Sequence, residues 1–135
     1  MSQQTRELSD PSCLTLLIES DDGQMAGYAQ VSRHPPPPCV TGPVPVELAR
    51  FYVDRPWQGR GVAQRLMAAV ADAAAELGGQ TVWLGVWEQN PRAIAFYVKC
   101  GFSDAGTTNF FVGRDRQTDR VLEVDAGRLR GRSTR

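Results

Sequence analysis

The segment Trp57-Gln58-Gly59-Arg60-Gly61-Val62-Ala63 sets two glycines between an apolar run and a helical pattern. Glycine lets backbone come close to a ligand. The free amides at a helix N-terminus, reinforced by the helix dipole, suit a pyrophosphate. Two nucleotide motifs fail here. A Walker loop needs G-x-x-x-x-G-K-[ST], and Lys99 is the only lysine in the chain. A G-x-G-x-x-G fingerprint would place its third glycine at Gln64. On local physics alone the segment reads equally well as a plain turn. Cys100 invites a nucleophile reading, but it shares an apolar helix face with Ala93, Phe96 and Tyr97 and has no histidine nearby in sequence. Cys13, Cys39 and Cys100 are odd in number and form no C-x-x-C pair. None stands within a short spacing of His34, the only histidine, so neither a disulfide framework nor a metal site is expected.

The elements that must position these residues follow from punctuation and period. Cys13 to Glu19 and Gln24 to Arg33 are strand-compatible and flank Ser20-Asp21-Asp22-Gly23, which reads as a hairpin turn. Residues 34–45 hold six of the nine prolines and read as a semi-rigid surface loop. Val46 to Val53, VELARFYV, reads as a strand covered on both faces. Val62, Leu66, Val70, Ala73 or Ala74, and Leu77 mark one face of a helix closed by Gly78-Gly79. A strand follows at Thr81 to Val86. Asn90 then caps a helix that opens on Pro91 and stops at Gly101. Phe102, Asn109 to Val112 and Val121 to Val124 supply short strands, with GRDRQTD as a polar loop between the last two. The order β-β-β-α-β-α-β-β predicts a mixed sheet with helices, α/β or α+β.

The pattern Gln58-x-x-Gly61-x-Ala63 after the VELARFYV strand, followed by Asn90-x-x-Ala93-x-x-Phe96-Tyr97-x-Lys99-x-Gly101-Phe102, resembles the GNAT superfamily of acyl-CoA-dependent N-acetyltransferases. The resemblance covers roughly residues 13–125. WLGVWEQNPRAIAFYVKCGF with FFVGRDRQTDRV is similar, more narrowly, to bacterial spermidine/spermine N-acetyltransferases of the PaiA type. It implies a mixed, mostly antiparallel twisted sheet with helices on both faces, and acetyl-CoA as co-substrate.

By resemblance, Gln58, Gly59, Arg60, Gly61, Val62 and Ala63 form the loop that binds the coenzyme pyrophosphate. Asn90 and Ala93 meet the pantetheine arm. Amides near Tyr52 and Val53, where the family's central strand bulges, receive the oxyanion. Glu47, acting through water, matches the general base and Tyr97 the general acid. Positioned proton transfer of this kind contributes about 10²- to 10⁴-fold. Gly85, inside an apolar strand, is costly unless something approaches the backbone there, and the pantetheine chain would account for it. A polyamine acceptor implies carboxylates, with Glu88, Asp115 and Asp119 as candidates and Trp87 or Trp57 as aromatic partners. The alternative is a catalytically silent acyl-CoA-binding or regulatory module.

The family's opening strand and two helices are not legible before Cys13. The chain therefore reads as a polar leader at 1–11, one domain at 12–126 and an Arg-rich disordered tail at 127–135. Either a late start codon or a second subunit would account for the missing wall, and an exposed apolar flank would favour a homodimer. Its 135 residues, 41% apolar and 22% charged, fit a single globular domain. Residues 1–126 carry eleven basic against fifteen acidic groups, so neither nucleic acid nor a membrane surface is an expected partner. Without a signal peptide or an apolar run of membrane-spanning length, a cytoplasmic location is expected.

Overall fold

The computed structural model describes residues 4–10 and 12–133, with side chains from 12 to 129. Its strands are β1 (Gln4–Asp10), β2 (Cys13–Glu19), β3 (Met25–Ser32), β4 (Pro45–Val53), β5 (Thr81–Trp87), β6 (Ser103–Val112) and β7 (Asp115–Asp125). They form one sheet in the order β1-β2-β3-β4-β5-β7-β6. All neighbours are antiparallel except β4 and β5, which are parallel. Parallel neighbours need a crossover, and helix α1 (Val62–Glu76) supplies it. Helix α2 (Pro91–Cys100) links β5 to β6, and α3 (Ala126–Ser133) follows β7.

Local chemistry explains most of these bounds. Gly23 turns the β2–β3 hairpin at φ 83°, with the Ser20 carbonyl accepting from its amide. The expected α1 stripe is buried at Val62, Leu66, Val70 and Ala73, and the helix ends where Gly78 adopts φ 78°. Leu66, Val70 and Ala73 join Leu14, Leu16, Val31, Val46, Leu48, Val82, Leu84 and Leu122 of the sheet in one core, while Val62 packs with Ile18 and Ala26 beside it. Phe96 and Tyr97 of α2 and Leu129 of α3 lean on the same core. The three helices thus share one face of the sheet, whereas the sequence reading expects helices on both. Across the second face runs the proline-rich segment, which is packed rather than a free spacer. The amides of Thr41 and Gly42 donate to the Glu123 carboxylate at 3.1 and 3.0 Å, and Cys39 lies against Gly106.

Four other expectations change. The polar leader is a strand over residues 4–10, paired along its length with β2 from Gln4–Glu19 to Asp10–Cys13. Its polar composition is that of a sheet edge. Two residues separate it from β2. The disordered tail is helical from 126 to 133, anchored by buried Ala126 and Leu129 and capped by the Asp125 carboxylate, which accepts from the Arg128 amide at 3.2 Å. Most of the polar loop belongs to β7, leaving a two-residue turn at Gly113-Arg114 between the paired Val112 and Asp115. The run VELARFYV is covered at Val46 and Leu48, while Ala49, Arg50 and Tyr52 are exposed.

Candidate active site

Chain order brings the end of β4, the glycine turn and the start of α1 together. Gly59 and Gly61 adopt φ 78° and 79°, the left-handed region that favours glycine, and a Cβ at either would point into open space. Gly61 is the cap of α1, so no side-chain oxygen satisfies the first turn, and no acidic residue stands there. The opening amides of a helix lack intrahelical partners. Here Gly61, Ala63 and Gln64 line a groove at the positive end of the helix dipole, which fits a pyrophosphate.

The other loop residues support this turn. Gln58 Nε2 donates to the Val53 carbonyl at 3.1 Å, tying the turn to the end of β4. Arg60 lies over the Trp57 ring at 5.3 Å and is not part of the groove wall. Val62 is buried against Ile18 and Ala26, so only its main chain is available to a ligand.

From this helix end a groove runs toward α2 as two adjoining cavities of about 460 and 440 Å³. Val53, Gln58, Ala63 and Phe96 line both. The second adds Phe51, Tyr52, Asn90, Ala93 and Tyr97. Its floor opens because β4 and β5 part company. Their ladder holds only Pro45–Thr81, Val46–Val82 and Glu47–Trp83, although both strands continue well beyond that last pair. Unpaired strand edges flanking a groove offer main-chain donors and acceptors to an extended ligand.

A bulge drives the divergence. Gln30 pairs with Arg50 and Val31 with Leu48, so Ala49 is extra. One inserted residue reverses which side chains face which way. Val46 and Leu48 face the core before it, Phe51 and Val53 after it. The bulge was expected near Tyr52 and Val53. It lies upstream, at Ala49. Tyr52 instead turns to the second face, its ring 5.8 Å from Tyr28 and its hydroxyl donating to Asp54 at 3.0 Å.

The two catalytic candidates lie on opposite faces of this opening. Tyr97 is wedged among Phe51, Phe96 and Phe102, with ring centroids 6.1, 5.4 and 5.8 Å away, and burial pushes its phenol up to about 12. It therefore stays protonated at neutral pH, as a donor must. Glu47 alternates with core-facing Val46 and Leu48 and so stands on the second face, where the ladder ends. Burial raises its carboxyl pKa, partly countered by His34. A carboxylate moved upward is a better proton acceptor near neutrality. Asn90 caps α2 with its side-chain oxygen, accepting from the Ala93 amide at 3.2 Å. Cys100 lines a separate apolar cleft between α1, α2 and α3 and takes no part in the groove.

Sequence reading missed Phe51 and the Ala49 bulge. Phe51 carried a usable signal as the aromatic of the strand preceding the glycine turn. The bulge carried none, because Ala49 differs from its neighbours only in what it fails to pair with.

Residues 1–102 match the acetyltransferase (GNAT) family. The chain is 34% identical over 125 residues to the N-alpha-acetyltransferase RimI of Mycobacterium tuberculosis, covering 93% of this chain and 70% of that protein. It is 29% identical over 90 residues to a spermine/spermidine N(1)-acetyltransferase of Bacillus subtilis, covering 66% and 59%. The fold superposes on spermidine N-acetyltransferase from Vibrio cholerae, in complex with CoA and spermine, with a TM-score of 0.69 at 19% identity over 87% of this chain and 68% of that one. With the glycine-capped helix, the parted strands and the family match all in agreement, the chain belongs to the acetyltransferase (GNAT) family, whose members move an acetyl group from acetyl-CoA to an amine.

Proposed function

We propose that this chain acetylates a primary amine of a small acceptor, with a polyamine as the acceptor class. The observation that carries the reading is the continuity of the groove. It begins at the N-terminus of α1, passes Ala63, Asn90 and Ala93, and reaches Tyr97 where β4 and β5 separate. Acetyl-CoA supplies the acetyl group as a thioester. The α1 amides and the Gly59–Gly61 turn hold its diphosphate, and the free edges of β4 and β5 hold the extended arm.

The amine nitrogen bonds to the acetyl carbon, the carbon–sulfur bond breaks, and the nitrogen sheds a proton. Glu47 takes that proton through water from the second face. Tyr97 gives its proton to the sulfur from the helix face, and amides beside the Ala49 bulge donate to the carbonyl oxygen. One such donor is worth roughly 3 kcal/mol. Separation of base and acid by the sheet lets acceptor and coenzyme enter from opposite sides.

Among the described residues no helix is long and apolar enough to cross a membrane. Among the described residues Cys13, Cys39 and Cys100 form no disulfide, in keeping with the proposed cytoplasmic setting. Exposed Phe110, Phe111 and Val112 at the β6–β7 tip support self-association. Incubation with acetyl-CoA and a panel of polyamines, monoamines and peptides with free N-termini, followed by free-thiol release, tests the reading. Release with polyamines above the rest is expected. No release with any amine would select the silent coenzyme-binding module.

A further inference from the structure

Gly85 interrupts an apolar strand, and the structure shows what takes the room its missing side chain leaves. A Cβ there would sit 3.1 Å from Oδ2 of Asp119, with the Asp119 Cβ and Cγ at 3.8 Å. The bare strand lets the Asp119 carboxylate lie across β5. It lies on the second face, with Trp83, Gly85 and Trp87, since Val82, Leu84 and Val86 point into the core. Trp87 pairs in register with Asp119 and is 47% exposed. Its indole N–H donates to Gln117 Oε1 at 2.9 Å, which restrains the ring on that same face of the sheet. Asp119 has neither a cation nor a hydrogen-bond donor paired with it among the described residues, and the neighbouring Arg120 is committed to Asp104. Burial raises its carboxyl pKa with no opposing charge.

An unneutralised, half-buried carboxylate on the same sheet face as an exposed, in-register tryptophan is an arrangement that attracts an ammonium. Its place relative to the reaction decides which ammonium. Glu47 stands on β4, one wall of the opening. Asp119 stands on β7, behind the other wall. A carboxylate in contact with the attacking nitrogen would hold it charged and oppose the attack. Asp119 therefore serves best a nitrogen that stays protonated throughout.

Resting on the acetyl-transfer reading above, we propose that Asp119, with Trp87 beside it, binds a second, unreacting ammonium of the acceptor and so selects di- and polyamines over monoamines. The test compares putrescine with butylamine as acceptors for the unsubstituted chain and for Asp119→Asn. In the variant, KM for putrescine should rise about tenfold, equivalent to one lost charge contact. Its kcat, and KM for butylamine, should stay as they are. Asp119→Glu should restore part of the preference. Because burial disfavours the ionised carboxyl in the folded state, the amide should leave Tm unchanged or raise it at neutral pH. A putrescine KM that does not move, a matching rise for butylamine, or a fall in kcat instead of a rise in KM would each overturn the proposal. Failure of acetyl transfer itself would show separately, as no thiol release by the unsubstituted chain with either amine.

Discussion

The two helices that border the groove begin in opposite ways. At α2, Asn90 supplies an oxygen to the Ala93 amide and Pro91 removes an amide that would otherwise need a partner. The chain satisfies its own helix end. At α1 the cap is Gly61 in a left-handed conformation with no side-chain oxygen, and the first turn lacks an acidic residue. That end is left open. Conversely, α2 presents side chains along its flank, Ala93, Phe96 and Tyr97, while α1 buries its own at Val62, Leu66 and Met67. One helix contributes its main-chain terminus and the other its side. Local self-satisfaction, rather than the presence of glycine, is therefore what separates the two helix ends.

The most damaging way to break this division is on the α2 flank. Tyr97→Phe removes one hydroxyl from a ring held by three aromatic neighbours, so the fold and the groove should survive. Turnover should fall about 10²-fold, with acetyl-CoA affinity by calorimetry unchanged. Equal loss of affinity and turnover would mean that the phenol binds rather than protonates. Gly61→Val attacks the other helix. A β-branched residue at φ 79° is strained, and its side chain would project into the groove that Gly61 lines. Coenzyme affinity should weaken about 30-fold, equivalent to roughly 2 kcal/mol. Undiminished affinity would show that the open helix end is not where the diphosphate sits.

Glu47 sharpens the comparison from the second face. Its carboxyl pKa is raised from the ordinary 4.5 by burial, and a base must be ionised to accept a proton. Activity should therefore decline as pH falls through that raised value, with the acid limb of kcat/KM above the usual carboxylate range. Glu47→Gln should lower kcat about tenfold at neutral pH and abolish that limb. An unchanged acid limb in the variant would assign it to another group.

How much of this was legible depends on where each element gets its stability. The β2–β3 turn, the α1 stripe and the Asn90 cap are fixed by local chemistry, and residue types alone placed them. The first half of β7 is different. Gln117, Thr118 and Asp119 show no apolar alternation, and the strand exists because it pairs with β6 on one side and β5 on the other. The strand at 4–10 and the helix at 126–133 are polar pieces carried by tertiary contact. Of the site, the glycine turn and Tyr97 were readable because their spacing is rigid. A glycine inside an apolar strand signals a close neighbour at Gly85, but the neighbour is a carboxylate more than thirty residues away in the chain, which only the sheet register reveals.

The smallest expected effects come from Asn90, where the two kinds of helix end meet in one side chain. Its Oδ1 is occupied by the Ala93 amide, while Nδ2 has no partner among the described residues, and Asn90 lines the groove. Asn90→Ala should lose the cap, about 1 kcal/mol and so a few degrees in Tm. Asn90→Asp keeps the capping oxygen and removes only the donor. If Nδ2 holds the coenzyme arm, the aspartate variant should keep its Tm yet bind acetyl-CoA about fivefold more weakly, the value of one hydrogen bond. If it binds as tightly as the unsubstituted chain, Asn90 is a cap and nothing more. The contribution of α2 would then rest on Ala93, Phe96 and Tyr97 alone.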